Sequence, residues 1–213
     1  MGQTGAALRN CAQKRAVIRA LVLSLLLTVF SAASARADVW RLDPNHTDIR
    51  VSWDHLGLSR QSARMTDVFG RLTFSPTNPA EGAVDVTMLL SGLRSGVSAL
   101  DEVLKSPDYF DAAQFPRITF KSVAIEPTSE RTGRITGDLT IRGVTQRVQL
   151  DTTWNFTGEH PLAPYNPVHR GTWVSGFTAT TTINRSAFGL TRAAPLVSDQ
   201  VQITINAEFI RVD

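Results

Sequence analysis

The residues best able to ligate a metal or move a proton near neutral pH are four histidines, His46, His55, His160 and His169. No His–Glu–x–x–His pair occurs among them. His46 and His55 are nine residues apart, so one regular strand would point them to opposite faces. His160 and His169 flank a proline-rich loop, and a metal site would require these two regions to converge. Turn and surface positions are the simpler reading, and no metal is expected. Asp108 and Asp111 could act as an acid–base pair, yet the stretch DYFDAAQFP reads more simply as a capped loop. Ser91-Gly92 and Ser175-Gly176 lack the context of a nucleophile elbow. Neither a dinucleotide-binding glycine pattern nor a P-loop is present. The single cysteine, Cys11, excludes an internal disulfide framework and a multi-cysteine zinc site. The residues that remain are apolar: four Trp and ten Phe, largely on or beside stretches of strand period.

The 213 residues divide into an N-terminal segment and a globular remainder. Residues 1–37 carry Arg9, Lys14, Arg15, Arg19 and Arg36 with no acidic residue. Within them Ala20–Phe30 reads ALVLSLLLTVF, followed by the small-x-small sites Ala33-Ser34-Ala35 and Ala35-Arg36-Ala37. A basic region, a short apolar core and such a site define a secretory signal peptide. The core is shorter than the roughly 20 residues of a membrane span. Cleavage is expected near Ala37, leaving residues 38–213 as one exported domain. Of the 22 Lys+Arg, five fall in residues 1–37, which leaves 17 against 19 Asp+Glu, a net charge of −2. Basicity thus gives no argument for nucleic-acid binding. The remainder has no cysteine, as suits an oxidising compartment.

Strand periodicity dominates that remainder. Ile49, Val51 and Trp53 share one parity, and Val84, Val86, Met88 and Leu90 another. Further runs are Leu72 with Phe74; Ile135, Leu139 and Ile141; Val148, Leu150, Trp154 and Phe156; Phe177 to Ile183; and Val201 to Phe209. Parity changes between Ile118/Phe120 and Val123/Ile125, which reads as a bulge. One segment, Ser98–Lys105 (SALDEVLK), has helical period instead. Its face is Val97, Leu100 and Leu104; Ser98 with Asp101 resembles a capping box, and Asp101–Lys105 is an i,i+4 pair. About eight half-apolar strands and one short amphipathic helix give an all-β chain, either a sandwich or a closed up-and-down barrel. Closure is favoured because it removes exposed edges.

Against this frame several stretches resemble the YceI-like family of secreted polyisoprenoid-binding proteins. They are Trp40–Thr47 (WRLDPNHT), Val51–Gly57 (VSWDHLG), Phe69–Phe74 (FGRLTF), Ser106–Asp111 (SPDYFD), Phe115–Ser122 (FPRITFKS), Gly137–Thr145 (GDLTIRGVT) and Gly176–Leu190. Together they span essentially all of 39–210. Ala187 departs from the family's Asn-Arg-Ser-Asp-Phe-Gly, which removes any ion pair from that position, and the loop 158–171 is longer than in many members. The resemblance implies an eight-stranded antiparallel lipocalin-like barrel. It implies a periplasmic binding or carrier protein that holds an isoprenoid lipid, polyprenyl or isoprenoid quinone, in an apolar pocket. No enzymatic activity, no catalytic residue and no cofactor other than that ligand are expected. A homodimer and a transient membrane contact are compatible with it. A barrel enzyme acting on a lipophilic substrate, or a ligand-free interaction module, is the alternative. Arg185, which shares parity with Ile183, is expected to form a structural ion pair at a barrel end.

Shared parity and the need for a continuous apolar lining nominate the ligand-binding residues. They are Val51, Trp53, Phe69, Val86, Met88, Phe120, Leu139, Ile141, Trp154, Phe177, Ile183, Phe188, Ile203 and Ile205.

Overall fold

A computed structural model describes residues 37–212 of the chain. The leader expected over residues 1–37 lies, apart from Ala37, outside them. Among the described residues eleven strands form a single antiparallel sheet: β1 (Asp38–Leu42), β2 (Asp48–His55), β3 (Ser59–Met65), β4 (Val68–Phe74), β5 (Ala83–Leu89), β6 (Leu93–Arg94), β7 (Arg117–Pro127), β8 (Thr132–Ile141), β9 (Val144–Glu159), β10 (Trp173–Asn184) and β11 (Gln200–Val212). One α-helix, α1 (Ser98–Lys105), lies between β6 and β7.

Eleven strands occupy eight positions. β1 and β2 share one side of β11, pairing with Phe209–Val212 and with Gln202–Asn206 respectively. The 3-10 turn Pro44–His46, capped by Asp43, breaks them apart. β4 and β3 then pair with β1 and β2, and β5 and β6 with β4 and β3. The meander continues through β7, β8, β9 and β10 to β11, where pairing with β1 and β2 closes the ring. The result is a closed, eight-stranded, up-and-down antiparallel barrel with one short helix.

The turns follow from local chemistry. Arg142 (φ 52°) and Gly143 (φ 76°) make the two-residue turn joining β8 to β9, a turn that needs positive φ at both positions. Two bulges turn side chains over. In β7, Ser122 pairs with Gly137 and Ala124 with Thr136, leaving Val123 unpaired and exposed while Ile125 points inward. The bulge expected there is present. A second, in β9, sets Trp154 opposite Phe177 and Phe156 opposite Gly176, so Asn155 is the extra residue. Phe156 is therefore exposed on the outer face, although its nominal parity matches Trp154.

The helix forms where expected, with different caps. Asp101 accepts from the Ser95 N–H and Ser95 Oγ, each at 2.6 Å, and Ser98 makes no cap bond to it. Lys105 Nζ lies 3.9 Å from Glu102 Oε1. Leu100 and Leu104 face the barrel interior, whereas Val97 precedes the first turn and is exposed.

Candidate functional site

Inward side chains from every strand position surround a cavity of about 370 Å³. Its wall follows β8 from Thr132 to Ile141 and β11 from Val201 to Phe209. Nine residue steps of strand measure about 30 Å, so the space is long for its volume. The wall is aliphatic and aromatic for most of that length.

Twelve of the fourteen nominated residues line this cavity: Val51, Trp53, Val86, Met88, Phe120, Leu139, Ile141, Trp154, Phe177, Ile183, Ile203 and Ile205. Two do not. Phe69 is on the outer face and more than half exposed, because Val68, Leu72 and Phe74 take the inward parity of β4. Phe188 sits in the 3-10 turn Arg185–Phe188 after β10, buried in the core without reaching the cavity. Its strand parity does not carry through the turn. The nomination omitted Leu72, Phe74, Val201 and Phe209, whose parity was visible, and Leu100, Leu104 and Phe110, which approach from outside the strands.

One glycine shapes the middle of the wall. A Cβ on Gly137 would stand 2.4 Å from Phe120 Cζ and 2.7 Å from the Lys121 carbonyl oxygen. The absence of a side chain there lets the Phe120 ring lie across β8.

The two ends differ. At the end formed by the β7–β8 and β9–β10 connections, Phe74 contacts Trp154 (5.5 Å between centroids) and Phe177 (5.3 Å), and Phe177 contacts Phe209 (5.9 Å), all edge to face. The Arg131 guanidinium stands over Trp154 at 5.4 Å and donates to the Asn155 carbonyl. Trp154 Nε1 donates to Thr157 Oγ1 at 2.8 Å. At the opposite end the wall is made by His55, Val197, Leu100, Leu104, Tyr109 and Phe110, from four separate chain segments.

Arg185 also lines the cavity, and its guanidinium makes four hydrogen bonds to backbone carbonyls. Nε donates to Ser198 O (2.9 Å), Nη1 to Leu190 O and Arg192 O, and Nη2 to Val197 O (3.0 Å). It is a structural residue, as expected, but it acts through carbonyls rather than through an ion pair. Asp199 accepts instead from the Ser186 N–H and Oγ, and these two bonds hold its carboxyl below the usual carboxylate range.

The four histidines do not gather into one cluster. His46 bonds to Asp43 at 2.8 Å, and that hydrogen bond raises its imidazole above the ordinary value. His55 faces the cavity. His160 and His169 stack on each other, centroids 4.0 Å apart. Among the described residues no group of three or more His, Cys, Asp or Glu is placed to hold a metal ion.

A closed up-and-down barrel of eight strand positions around an elongated apolar space is the architecture of barrels that hold a small lipophilic ligand. The chain belongs to the YceI-like domain family, whose model matches residues 40–209. It is 30% identical over 191 residues to UPF0312 proteins of Pseudomonas putida strains W619 and GB-1, covering 89% of this chain and 95% of each relative. The crystal structure of Burkholderia cenocepacia BcnA has the same fold, with TM-score 0.69 and 22% identity over 78% of this chain and 98% of that one. So has a polyisoprenoid binding domain from Saccharophagus degradans implicated in plant cell wall breakdown, with TM-score 0.58 and 12% identity over 83% of this chain and 100% of that one. At these identities both likenesses carry the fold alone.

Proposed function

We propose that this protein binds and carries a long isoprenoid lipid, a polyprenyl chain or an isoprenoid quinone, with the apolar tail inside the barrel. The observation that carries the reading is the cavity itself: about 370 Å³, elongated, with an apolar wall along most of its length. Burying one CH₂ is worth about 0.8 kcal/mol, so three isoprene units offer on the order of 10 kcal/mol before the costs of association. A tail can be held on that basis without a charged anchor. The Saccharophagus degradans domain of the same fold is described as polyisoprenoid binding, which is the ligand class proposed for this chain.

The reading assigns no catalytic role and calls for no cofactor besides the lipid. The ionisable residues on the wall are His55, Tyr109, Glu130, Arg131 and Arg185, and the guanidinium of Arg185 is already engaged by carbonyls. With the basic, apolar and Ala-Arg-Ala segments of residues 1–37 acting as a cleaved leader, the site of action is the periplasm.

Organic extraction of the purified protein followed by mass spectrometry is the direct test. An isoprenoid approaching one per chain is the expected result. Recovery of no lipid, together with failure to take up added polyprenol or ubiquinone, would overturn the proposal.

A further inference from the structure

Among the exposed apolar side chains are two groups, one at each end of the barrel, and only one of them adjoins residues of the cavity wall. At the end bearing α1, the β2–β3 hairpin tip presents Leu56 and Leu58, and the neighbouring segment presents Leu196; Leu58 is 82% and Leu196 67% exposed. Backbone bonds hold these segments together. The Leu56 N–H donates to Leu196 O at 2.9 Å, and His55 and Val197 form an isolated antiparallel bridge. His55 and Val197 also line the cavity, so the exposed leucines continue directly into its wall. At the other end Leu162, Tyr165 and Val168 are comparably exposed, yet none of their chain neighbours lines the cavity as His55 and Val197 do beside Leu56 and Leu196.

The turn chemistry supplies a second, independent observation. Leu56 has φ +58° and Gly57 φ +69°, and the Leu58 N–H closes the turn on His55 O at 2.9 Å. The first of these positions favours Asn, Asp or Gly; a leucine with positive φ is strained. A hairpin tip built for water would carry a short polar residue there. This one holds an unfavourable leucine and presents another beside it, and such strain persists where the exposed group has a use.

We propose that Leu56, Leu58 and Leu196 form a lip that inserts into the surface of a lipid bilayer, so that the ligand passes between membrane and cavity without crossing water. The proposal rests on the lipid-carrier reading above. A bilayer is the occupant because the lip is continuous with the space that holds the tail, a continuity that a protein partner would not require. The charges beside the tip balance: Asp54 and Arg60 stand opposite each other in the β2–β3 ladder. Docking is therefore apolar rather than electrostatic, and insensitive to salt.

The experiment uses the exported protein without residues 1–37, since the apolar Ala20–Phe30 stretch would itself enter vesicles, with phosphatidylcholine vesicles with and without phosphatidylglycerol and a fluorescent polyprenol. Flotation with the vesicles measures docking; transfer of the probe from vesicles, compared with its uptake from cyclodextrin, measures passage. Leu58→Asp with Leu196→Asp should lower vesicle binding and the transfer rate by roughly tenfold while leaving uptake from cyclodextrin within about twofold. Leu58→Ser alone should act in the same direction with the barrel undisturbed. Tyr165→Asp with Val168→Asp should change neither quantity, and raising salt from about 0.1 to about 0.5 M should leave wild-type flotation unchanged. Absence of wild-type flotation, or wild-type transfer rates in the Leu58/Leu196 variant, would overturn the lip. So would a dimer that dissociates in that variant, since it would make the face a contact between copies. Vesicle binding without uptake of the probe from either source would overturn the carrier reading and leave the docking surface standing.

Discussion

At the end where β7 turns into β8, the cavity is lined by aromatic rings packed edge to face. Phe74, Trp154, Phe177 and Phe209 come from four different strands, Arg131 covers Trp154, and the Thr128–Thr132 hairpin is tied by its own hydroxyls. At the end bearing α1, the wall is assembled from a hairpin tip, a helix, the segment after it and the 190–199 loop, with leucines facing out. Edge-to-face ring packing adds specific stabilisation to an already large burial of area. A wall made of separate segments has fewer such constraints and is where local opening is cheapest. With the proposed lip, the contrast puts stability at the aromatic end and the proposed ligand exchange at the other. Substitutions at the two ends should therefore separate folding from binding.

The largest effect is expected at the aromatic end. Phe177→Ala removes two ring contacts from a half-buried ring and should lower stability by about 2–3 kcal/mol, read from urea unfolding of the ligand-free protein. Trp53→Ala, on the half-buried wall toward the leucine lip, should cost less stability and reduce bound lipid more. Equal stability losses with no difference in lipid content would remove the distinction between the ends.

Between the ends, Gly137→Ala probes the centre of the wall. The added Cβ meets the movable Phe120 ring and the fixed Lys121 carbonyl, so strain of about 1–3 kcal/mol is expected. Phe120→Leu in the same chain should recover only part of it, because the carbonyl contact persists. Full recovery in a double-mutant cycle would show that the ring alone was the obstacle.

Much of the wall was legible in the sequence because alternation survives wherever a strand is regular. Ile49–Trp53, Val84–Met88 and Val201–Phe209 point inward as their period requires. Legibility failed where a local event resets the period. The extra residue Asn155 puts Phe156 outside, and the turn after Asn184 takes Phe188 off the strand pattern. Phe69 was misplaced although Leu72 and Phe74 already set the parity of β4. Ring closure joins β1 to β11 and the aromatic cluster joins Phe74 to Trp154, 80 positions further on, and nothing in a single stretch of sequence encodes that meeting. Nor does it show that Leu56 and Leu196 are neighbours, on which the proposed lip depends.

A smaller effect is expected at α1, which contributes Leu100 and Leu104 to the exchange end. The side-chain and backbone hydrogen bonds from Ser95 hold the Asp101 carboxyl below the usual carboxylate range. A folded pKa below the unfolded one means that the contribution is complete above about pH 4 and is lost as pH falls through the folded value. Asp101→Ala should cost about 1 kcal/mol near neutral pH, and the gap between variant and wild type should close on acidification. Urea midpoints measured down the acid limb will show it. A gap that persists at low pH would mean that the carboxylate charge is not what holds Ser95.

The smallest effect concerns the one ion pair found between the segment after α1 and the 190–199 loop, Arg192 Nε to Asp108 Oδ2 at 3.8 Å, with both side chains about two-thirds exposed. Exposed pairs of this kind contribute between about 0 and 1 kcal/mol, because water screens the charges and two long side chains lose freedom. Asp108→Asn should therefore leave the unfolding midpoint nearly unchanged, and added salt should erase any residual difference. The same variant tests whether the exchange end is held by a latch. If that end opens because its segments share little buried contact, lipid release from Asp108→Asn should stay within about twofold of wild type. A several-fold faster release, at unchanged stability and reversed by restoring the charge with Asp108→Glu, would instead give this pair control of the opening. The contrast between the two ends would then depend on one electrostatic contact as well as on packing.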